Sequence, residues 1–455
     1  MKKTIYLLIL FLAAAVQINA QSVLEEYIRE GLDNNLVLKQ KQVSVEQGMT
    51  ALKSANALFY PGITLMADYL SGEGGRNISI PVGDLMNPVY TTLNQLTGSS
   101  RFPQIENVKQ DFLPFQFYDV KLRVSMPLLN TDIIKNSEIA GIQNEITRLD
   151  LEAYKKELVK EISNAYYGYL MAVNGVKIYK NAIELALEGR RVNEKLLKNG
   201  ELLPVYLLRA DAEIEELRAK LSGAQTSESA AAKYFNFLLN RDAAAEIKID
   251  ESVFSSQNNK TDVLSDAQLR TDREELKMLE GVVKIKRSVT EMNRLNWIPK
   301  INVFADLGAQ DSKWNYNQDS KYYLFGVQLS LPLFESFRQA YKTESSELEL
   351  KKSELELNLV KNQLQMKLKI VQDELRAASD ALGSAIKQEE FAVSYNSLIS
   401  KGYQEGVNSF IETIDARTQL LNARLLVNIS RIKFEIAKVN LNRETAGYTN
   451  YEEVK

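Results

Sequence analysis

The sequence predicts a mainly α-helical protein with a small β-strand portion, built from one structural unit that occurs twice. Three observations support this class: a recurring set of proline and glycine positions, four short segments in which apolar and polar residues alternate, and long helical tracts without proline. Each unit is expected to contain a helix, a strand pair and a long helical hairpin.

The duplication is visible as four positions that recur in the same order. The interval from the second proline to the glycine is 73 positions in the first unit and 74 in the second. The two prolines are 66 positions apart in the first unit but 33 in the second, which predicts an insertion at about residues 70–118. The recurring pairs are Pro61 and Pro299, Pro127 and Pro332, Gly200 and Gly406, and Ala210 and Ala416.

Alternation with period two predicts the strands. It follows Pro61 and Pro299 and precedes Pro127 and Pro332, and in the strand before Pro127 the polar positions carry charges. Each run is long enough to cross a tilted bilayer core with one apolar face. A soluble sheet with one solvated face gives the same pattern. Four strands cannot close a barrel, so a membrane barrel needs strands from two, three or four chains.

Helical segments are predicted at about residues 22–57, 131–198, 262–296 and 337–400. Positions spaced alternately by four and three residues indicate coiled-coil packing of the long hairpins. One such series is Leu364, Leu368, Val371, Leu375, Ala378, Leu382 and Ala385, and another is Leu425, Ile429, Ile432, Ile436 and Val439. The predicted organisation is a signal peptide at 1–20, units at 21–240 and 262–447, a linker at 241–261 and a tail at 448–455.

The N-terminus has the layout of a secretory signal peptide, with Lys2 and Lys3 before an apolar run that ends near Ala20. Removal of these two lysines changes the formal net charge from -3 to -5, which argues against a nucleic-acid partner. The sequence contains no cysteine and no histidine. We therefore expect no disulfide, no lipid anchor on cysteine, no cofactor, no metal site and no enzymatic activity.

The segments Tyr403-Gln404-Glu405-Gly406 and Ile411-Glu412-Thr413-Ile414-Asp415-Ala416, together with the paired prolines, resemble the TolC-type outer-membrane efflux family. The resemblance covers essentially the whole mature chain. It implies a homotrimer whose twelve pooled strands form a barrel in the outer membrane of a Gram-negative bacterium, with helices that form a periplasmic tunnel. It also implies a periplasmic adaptor (membrane fusion protein) and an inner-membrane RND, ABC or MFS transporter as partners.

The resemblance assigns roles to two groups of residues. The turns Asn199-Gly200-Glu201 and Glu405-Gly406-Val407 are expected to dock the adaptor, although a glycine at a helix end is often only a cap. Glu412 and Asp415 lie three positions apart on one helix face and, with Tyr403, are expected to form the entrance constriction. Mutual repulsion of six such carboxylates in a trimer would raise some of their pKa values.

One position departs from the family. Some members close the entrance with an arginine two residues after the tip glycine, paired with an aspartate on the neighbouring hairpin. Here the corresponding residues are Asn408 and Tyr206, so this ion pair cannot form. A latch would require hydrogen bonds or other ions, such as Lys401 or Arg417.

Two function classes remain from the sequence. The leading one is a passive exit channel for efflux or type I secretion. The alternative is an exported coiled-coil adaptor or adhesin that carries a soluble sheet. An exported hydrolase is a weaker third possibility, because no carboxylate pair in a pocket is recognisable in the sequence.

Overall fold

The structure, a computed structural model, describes residues 23–112, 115–255, 273–312 and 314–445. The predicted signal peptide and C-terminal tail lie outside these ranges. The helices are α1 (Val23–Asn34), α2 (Leu36–Ala57), α3 (Val82–Thr97), α4 (Thr131–Lys198), α5 (Val205–Leu238), α6 (Ser252–Ser255), α7 (Glu274–Arg294), α8 (Arg338–Gln404) and α9 (Phe410–Glu444). The strands are β1 (Gly62–Ser71), β2 (Asn77–Ile80), β3 (Val108–Asp111), β4 (Gln116–Leu129), β5 (Lys300–Asp311) and β6 (Lys321–Ser330).

The long proline-free tracts form continuous helices, as predicted. Helix α4 has the predicted bounds, and α8 extends four residues beyond the predicted end. The helical segment predicted at about 22–57 is confirmed, but it forms two helices, α1 and α2, because it is interrupted at Asn35. The Asn35 carboxamide accepts a hydrogen bond from the Leu38 backbone N–H (3.0 Å) and donates one to the Leu238 carbonyl (2.9 Å). One side chain therefore caps α2 and ties it to the end of α5.

The chain forms two compact units whose boundaries differ from those of the repeats. The helical unit comprises the described parts of Met1–Met49, Ile142–Ile285 and Leu350–Lys455, and the sheet unit comprises those of Thr50–Gly141 and Lys286–Glu349. Each compact unit draws chain from both sequence repeats. The predicted repeat boundaries stay a prediction.

The main core of the helical unit joins the N-terminal helices to the long hairpins. Tyr27 and Phe235 contact each other edge to face with ring centroids 5.0 Å apart, and Tyr166 packs against both. Ile247, in the segment predicted as a polar linker, is also buried in this core. The fully buried members are Ile28, Leu38, Leu158, Ile162, Tyr166, Leu170, Phe235, Leu239 and Ile432.

The coiled-coil prediction is confirmed for α8 and is wrong for α9. Four of the predicted α8 positions, Leu368, Val371, Leu375 and Leu382, are buried together with Phe434, Ala437 and Leu441 of α9. The predicted α9 series lies elsewhere: Ile432 belongs to the main core, and Leu425 packs in a separate cluster with Ile178 and Ile214. Helix α9 is buried on more than one side, so a single apolar stripe does not identify its hairpin face.

The main sheet of the sheet unit is antiparallel and has the strand order β1-β4-β5-β6. Leu65, Leu122, Leu307 and Tyr323 lie in one cross-strand row. β1 and β6 are the edge strands, and each pairs on one side only among the described residues. All four predicted strands are confirmed.

The two faces of this sheet differ in chemistry. On one face, large apolar side chains are exposed in neighbouring rows: Ile63, Leu65, Leu122, Leu307, Tyr323, Phe325, Val327 and Leu329. On the other face, the Arg123 guanidinium binds both carboxylate oxygens of Asp306 (2.7 and 2.6 Å), and the Tyr322 hydroxyl donates to Asp119 (2.7 Å). The predicted alternation of apolar and charged residues is therefore present in the folded sheet.

The predicted insertion forms a structured loop between β1 and β4. It contains the β2–β3 hairpin and α3, and two asparagines connect α3 to the returning chain. The Asn87 side chain exchanges two hydrogen bonds with the backbone of Ile105 (both 2.9 Å), and Asn94 does the same with Phe102. Each carboxamide thus replaces a backbone partner that the irregular chain lacks.

Within the described residues, no helix carries an apolar stretch long enough to span a membrane. The helical unit does contain a buried ion network at the start of α7 and the end of α9. Arg273 binds Glu444 (2.7 Å) and Glu275 (3.2 Å), and Arg443 also binds Glu275 (2.6 Å). Burial by itself raises the pKa of Glu275, but the hydrogen bond from Arg273 and the charge of Arg443 outweigh it and lower the pKa to about 2.

We expect this network to make the free energy of unfolding depend on pH in the acidic range. Because the pKa of Glu275 is lower in the folded than in the unfolded chain, its contribution is complete above about pH 4.5 and is lost as the pH falls towards about 2. Glu275→Gln should reduce the free energy of unfolding by on the order of 2 kcal/mol at neutral pH. It should also make the free energy of unfolding fall less steeply as the pH decreases in the acidic range. Urea unfolding followed by circular dichroism across this pH range measures both effects. Asp373→Asn, at an exposed position of α8, serves as the control, and an equally reduced pH dependence in that variant would contradict the assignment.

Candidate functional site at the helical tips

The two hairpin tips have the same backbone design. At the end of α4, the Gly200 N–H donates to the Leu197 carbonyl (3.0 Å) and the Glu201 N–H to the Leu196 carbonyl (2.9 Å). At the end of α8, the N–H groups of Gly406 and Val407 donate in the same pattern to Tyr403 (3.1 Å) and Gly402 (2.8 Å). This pair of bonds is the Schellman motif, which satisfies the last carbonyls of a helix.

Glycine is required at both tips by backbone conformation. Gly200 has φ of 75° and Gly406 has φ of 74°, in the left-handed region that L side chains rarely adopt. A Cβ atom at either position would meet nothing within 4 Å, so space is not the constraint. The helix-cap interpretation of these glycines is therefore confirmed. Their role in docking, shared with Asn199, Glu201, Glu405 and Val407, stays a prediction.

The two tips continue differently. Helix α5 follows Pro204, whereas α9 begins with a capping box at Ser409 and Glu412. Ser409 Oγ accepts from the Glu412 N–H (3.3 Å), and the Ser409 N–H donates to Glu412 Oε2 (2.6 Å). The Glu412 carboxylate thus has a structural role that the sequence analysis missed, although Ser at N-cap with Glu three residues later is a known signal.

The hydrogen bonds of Glu412 also favour its charged form. The backbone N–H of Ser409, then the Ser409 hydroxyl and the Asn408 side chain, lower the pKa of this carboxyl below its ordinary value. This direction is opposite to the increase expected from repulsion, because the cap stabilises the charged form within one chain. Asp415, one turn later, accepts from Gln419 Nε2 (2.7 Å). Glu412 and Asp415 are both exposed, whereas Thr413 and Ala416, which directly follow them, are buried.

Tyr403, the third predicted constriction residue, connects α8 to α4. Its hydroxyl donates to Asn193 Oδ1 (2.7 Å), and Asn193 is completely buried. Burial, followed by the nearby Tyr206 hydroxyl, raises the pKa of Tyr403 above its ordinary value. The tyrosine therefore remains a neutral hydrogen-bond donor across the physiological range.

Phe410 is the centre of this site, and sequence reasoning did not identify it. Its ring is 2% exposed and lies 5.8 Å from the ring of Tyr403 and 6.0 Å from that of Tyr206. The Arg417 guanidinium lies 5.7 Å from the same ring centroid. The only sequence signal was a large apolar residue directly after the N-cap serine.

Arg417 forms an ion pair with two hydrogen bonds near the tips. It binds both carboxylate oxygens of Glu213 on α5 (3.1 and 2.8 Å), and both side chains are largely buried. Gly189 leaves room for the guanidinium, because a Cβ atom there would lie 2.5 Å from it. Arg417 is therefore engaged within its own chain. Tyr206 and Asn408, at the positions of the missing ion pair, instead contact Phe410 and Glu412.

Comparison with known proteins agrees with this architecture. The sequence profile of the outer membrane efflux protein family matches residues 267–445. This region of the chain is therefore similar to that family. Alkaline protease secretion protein AprF of Pseudomonas aeruginosa is 22% identical over 248 residues, which are 52% of this chain and 51% of AprF. The chain thus spans about half the length of this curated relative in the matched region.

Solved structures extend the likeness in fold to nearly the whole chain. The VceC outer membrane protein of Vibrio cholerae is 14% identical with a TM-score of 0.72, covering 93% of this chain and 95% of VceC. The CmeC outer membrane channel of Campylobacter jejuni is 15% identical with a TM-score of 0.72, covering 94% of this chain and 86% of CmeC. The fold predicted from the sequence is confirmed.

We expect the tip glycines to contribute to stability through their conformation alone. Gly406→Ala should lower the free energy of unfolding by about 1 kcal/mol, because alanine is strained at positive φ. Gly406→Asn should cost less, since asparagine tolerates this region. Urea unfolding midpoints compare these variants with Gly383→Ala, whose site lies within α8 in open space.

The Gly383→Ala control should stabilise the protein, because alanine is the better helix former. The same sign of change at positions 383 and 406 would contradict the conformational explanation.

Proposed function

We propose that this chain is the protomer of a homotrimeric exit channel in the outer membrane of a Gram-negative bacterium. The channel passively conducts substrates from the periplasm to the exterior as part of an efflux or type I secretion system. A periplasmic adaptor and an inner-membrane RND, ABC or MFS transporter open it and supply the energy. The observation that carries this proposal is the four-stranded sheet with one exposed apolar face and two free edges.

The apolar face supports placement in lipid. Leu307, Phe325 and Val327 are each more than 60% exposed and lie on neighbouring strands at the same face. A contiguous exposed apolar patch of this kind marks an interaction surface, and alternation of apolar and charged residues is the pattern of a membrane barrel. The charged face, with Arg123 and Asp306, would then line the aqueous interior.

The free edges support assembly. Unpaired strand N–H and C=O groups are costly in hydrocarbon, so a sheet in a membrane has to close on itself. Four strands are too few, whereas three copies supply twelve. The four strands alternate in direction, so β6 of one copy and β1 of the next can pair antiparallel and complete the ring.

The tips are the proposed docking surface for the adaptor. Val407 is 81% exposed, and Leu203 and Leu208 beside the other tip are 64% and 70% exposed. Exposed apolar side chains beside the caps at Gly200 and Gly406 suit a helical partner, because they offer apolar anchors on rigid turns. AprF is by its name a secretion protein, which is consistent with a partner complex of this kind.

The proposed gate consists of Glu412, Asp415 and Tyr403. The capping box fixes where the Glu412 carboxylate lies, and Asp415 projects from the next turn of α9. Contacts of Tyr403 with Asn193 and Phe410 hold α8, α9 and α4 together within the chain. In a trimer the two acidic positions would form two rings of three carboxylates that favour cations.

Reconstitution tests the proposed channel. Protein extracted from the outer-membrane fraction with detergent should run as a trimer and produce discrete conductance steps in a planar lipid bilayer. Recovery of the protein in the soluble periplasmic fraction without detergent would support the exported adaptor or adhesin instead. A detergent-extracted trimer without conductance would contradict the channel but not the assembly.

Neutralisation of the gate carboxylates should change selectivity. Glu412→Gln/Asp415→Asn keeps a capping side chain at position 412 and removes six charges per trimer. The cation-to-anion permeability ratio should fall by about two- to tenfold at low salt, where screening is weak. Reversal potentials in a salt gradient measure the ratio.

The matched control is Glu201→Gln/Glu405→Gln, which removes the same number of charges from the tip turns. It should leave the permeability ratio nearly unchanged, because these side chains lie outside the proposed rings. An unchanged ratio in the Glu412/Asp415 variant would remove these residues from the gate.

A further inference from the structure

We propose that an apolar cluster after β6, formed by Leu333, Phe334 and Phe337, docks against residues 58–60 of a neighbouring copy of this chain. The contact would join neighbouring protomers at the end of the sheet where β1 begins and β6 ends. This inference rests on the proposed trimer and adds a specific site of protomer recognition to it.

The cluster is unusual for its exposure. Leu333 is 90% exposed, Phe334 is 74% and Phe337 is 67%. The two phenylalanine rings contact each other edge to face, with centroids 5.8 Å apart, so they form one surface. Apolar groups of this size favour removal from water, and an exposed group of adjacent aromatics marks an interaction site.

The backbone of the cluster is held in an unfavourable conformation. Ser336 has φ of 49° and Phe337 has φ of 63°, both in the left-handed region. A bulky residue there is strained, and such strain persists where surrounding structure determines the conformation. Within the chain the Phe337 ring is mostly exposed, which points to a partner of defined shape. Contact with fluid lipid alone would not require this conformation, because exposed apolar side chains on an unstrained backbone would contact lipid equally well.

The first sequence repeat provides an internal comparison. Pro127 and Leu128 correspond to Pro332 and Leu333, but there the chain passes directly from β4 into α4. Asn130 caps that helix through hydrogen bonds from Asp132 N (3.1 Å) and Ile133 N (3.4 Å). β4 is an inner strand with neighbours from its own chain, whereas β6 is an edge. Of the two repeats, the one with the apolar cluster is therefore the one whose strand is an edge, where a second copy would pair.

The strand directions identify what the cluster would meet. β6 runs antiparallel to β5, and β1 runs antiparallel to β4, so β1 and β6 have opposite directions across the sheet. Pairing of β6 with β1 of the next copy places the end of β6 beside the start of that β1. The residues before β1 are also apolar and exposed: Leu58 at 53%, Phe59 at 38% and Tyr60 at 71%. The two surfaces match in chemistry.

Cysteine cross-linking tests the contact directly, because the native sequence contains no cysteine. Tyr60→Cys combined in turn with Leu333→Cys, Phe334→Cys or Phe337→Cys should give covalently linked dimers and trimers on non-reducing gels for at least one pair. Within one chain β1 and β6 are three strand spacings apart, about 14 Å, which is too far for an intramolecular disulfide. Each single-cysteine variant should remain unlinked. The Tyr60→Cys/Leu128→Cys pair flanks the paired strands β1 and β4, so it can form a disulfide only within one chain and should give no linked dimer.

Trimer stability gives an independent measurement. Phe334→Asp should lower the temperature at which the trimer dissociates in detergent by on the order of 10 °C. Leu128→Asp, at the 60% exposed position of the first repeat that corresponds to Leu333, should have a much smaller effect.

An intact trimer in which none of the three pairs cross-links would overturn the contact while leaving the proposed function in place. Equal effects of Phe334→Asp and Leu128→Asp would also overturn it, since a lipid-facing role predicts equality. A monomeric unaltered protein would overturn the trimer itself, and this inference with it.

Discussion

The main constraint on the sheet unit is that backbone N–H and C=O groups require hydrogen-bond partners. In an open sheet of four strands, the inner strands form hydrogen bonds on both sides, and each edge strand keeps one row of unpaired N–H and C=O groups. β1 and β6 carry these rows, and large apolar side chains cover one face. Copies of the same chain and a lipid bilayer together meet both requirements. The proposed channel and the proposed contact between protomers therefore follow from the same incomplete sheet.

The two helical tips share the features that the backbone requires at the end of a helix. Both repeats end their first long helix with a glycine at positive φ and the same two hydrogen bonds. The chain after each glycine is free to differ. One repeat continues through Pro204, and the other continues through the Ser409 capping box that positions Glu412. The repeats are thus most alike at the caps and least alike beside them.

A side chain at the tips can stabilise the fold and still be available for function. The three hydrogen bonds described for Glu412 end on Oε2, and the residue is exposed, so its carboxylate caps α9 while presenting a charge. Tyr403, Phe410 and Arg417 contribute differently, since they connect α8 and α9 to the hairpin of the first repeat. Substitutions at these positions are therefore expected to change local stability as well as any opening of the proposed gate.

The sequence by itself determined the elements that depend on local pattern. Period-two alternation located the four strands, absence of proline located α4 and α8, and the tip glycines located the caps. Tertiary structure decided which faces meet. Helix α9 packs through Phe434, Ala437 and Leu441, and Arg417 binds Glu213 rather than remaining available for a latch. These pairings join residues far apart in the chain, and local periodicity contains no information about the partner that a buried side chain will meet.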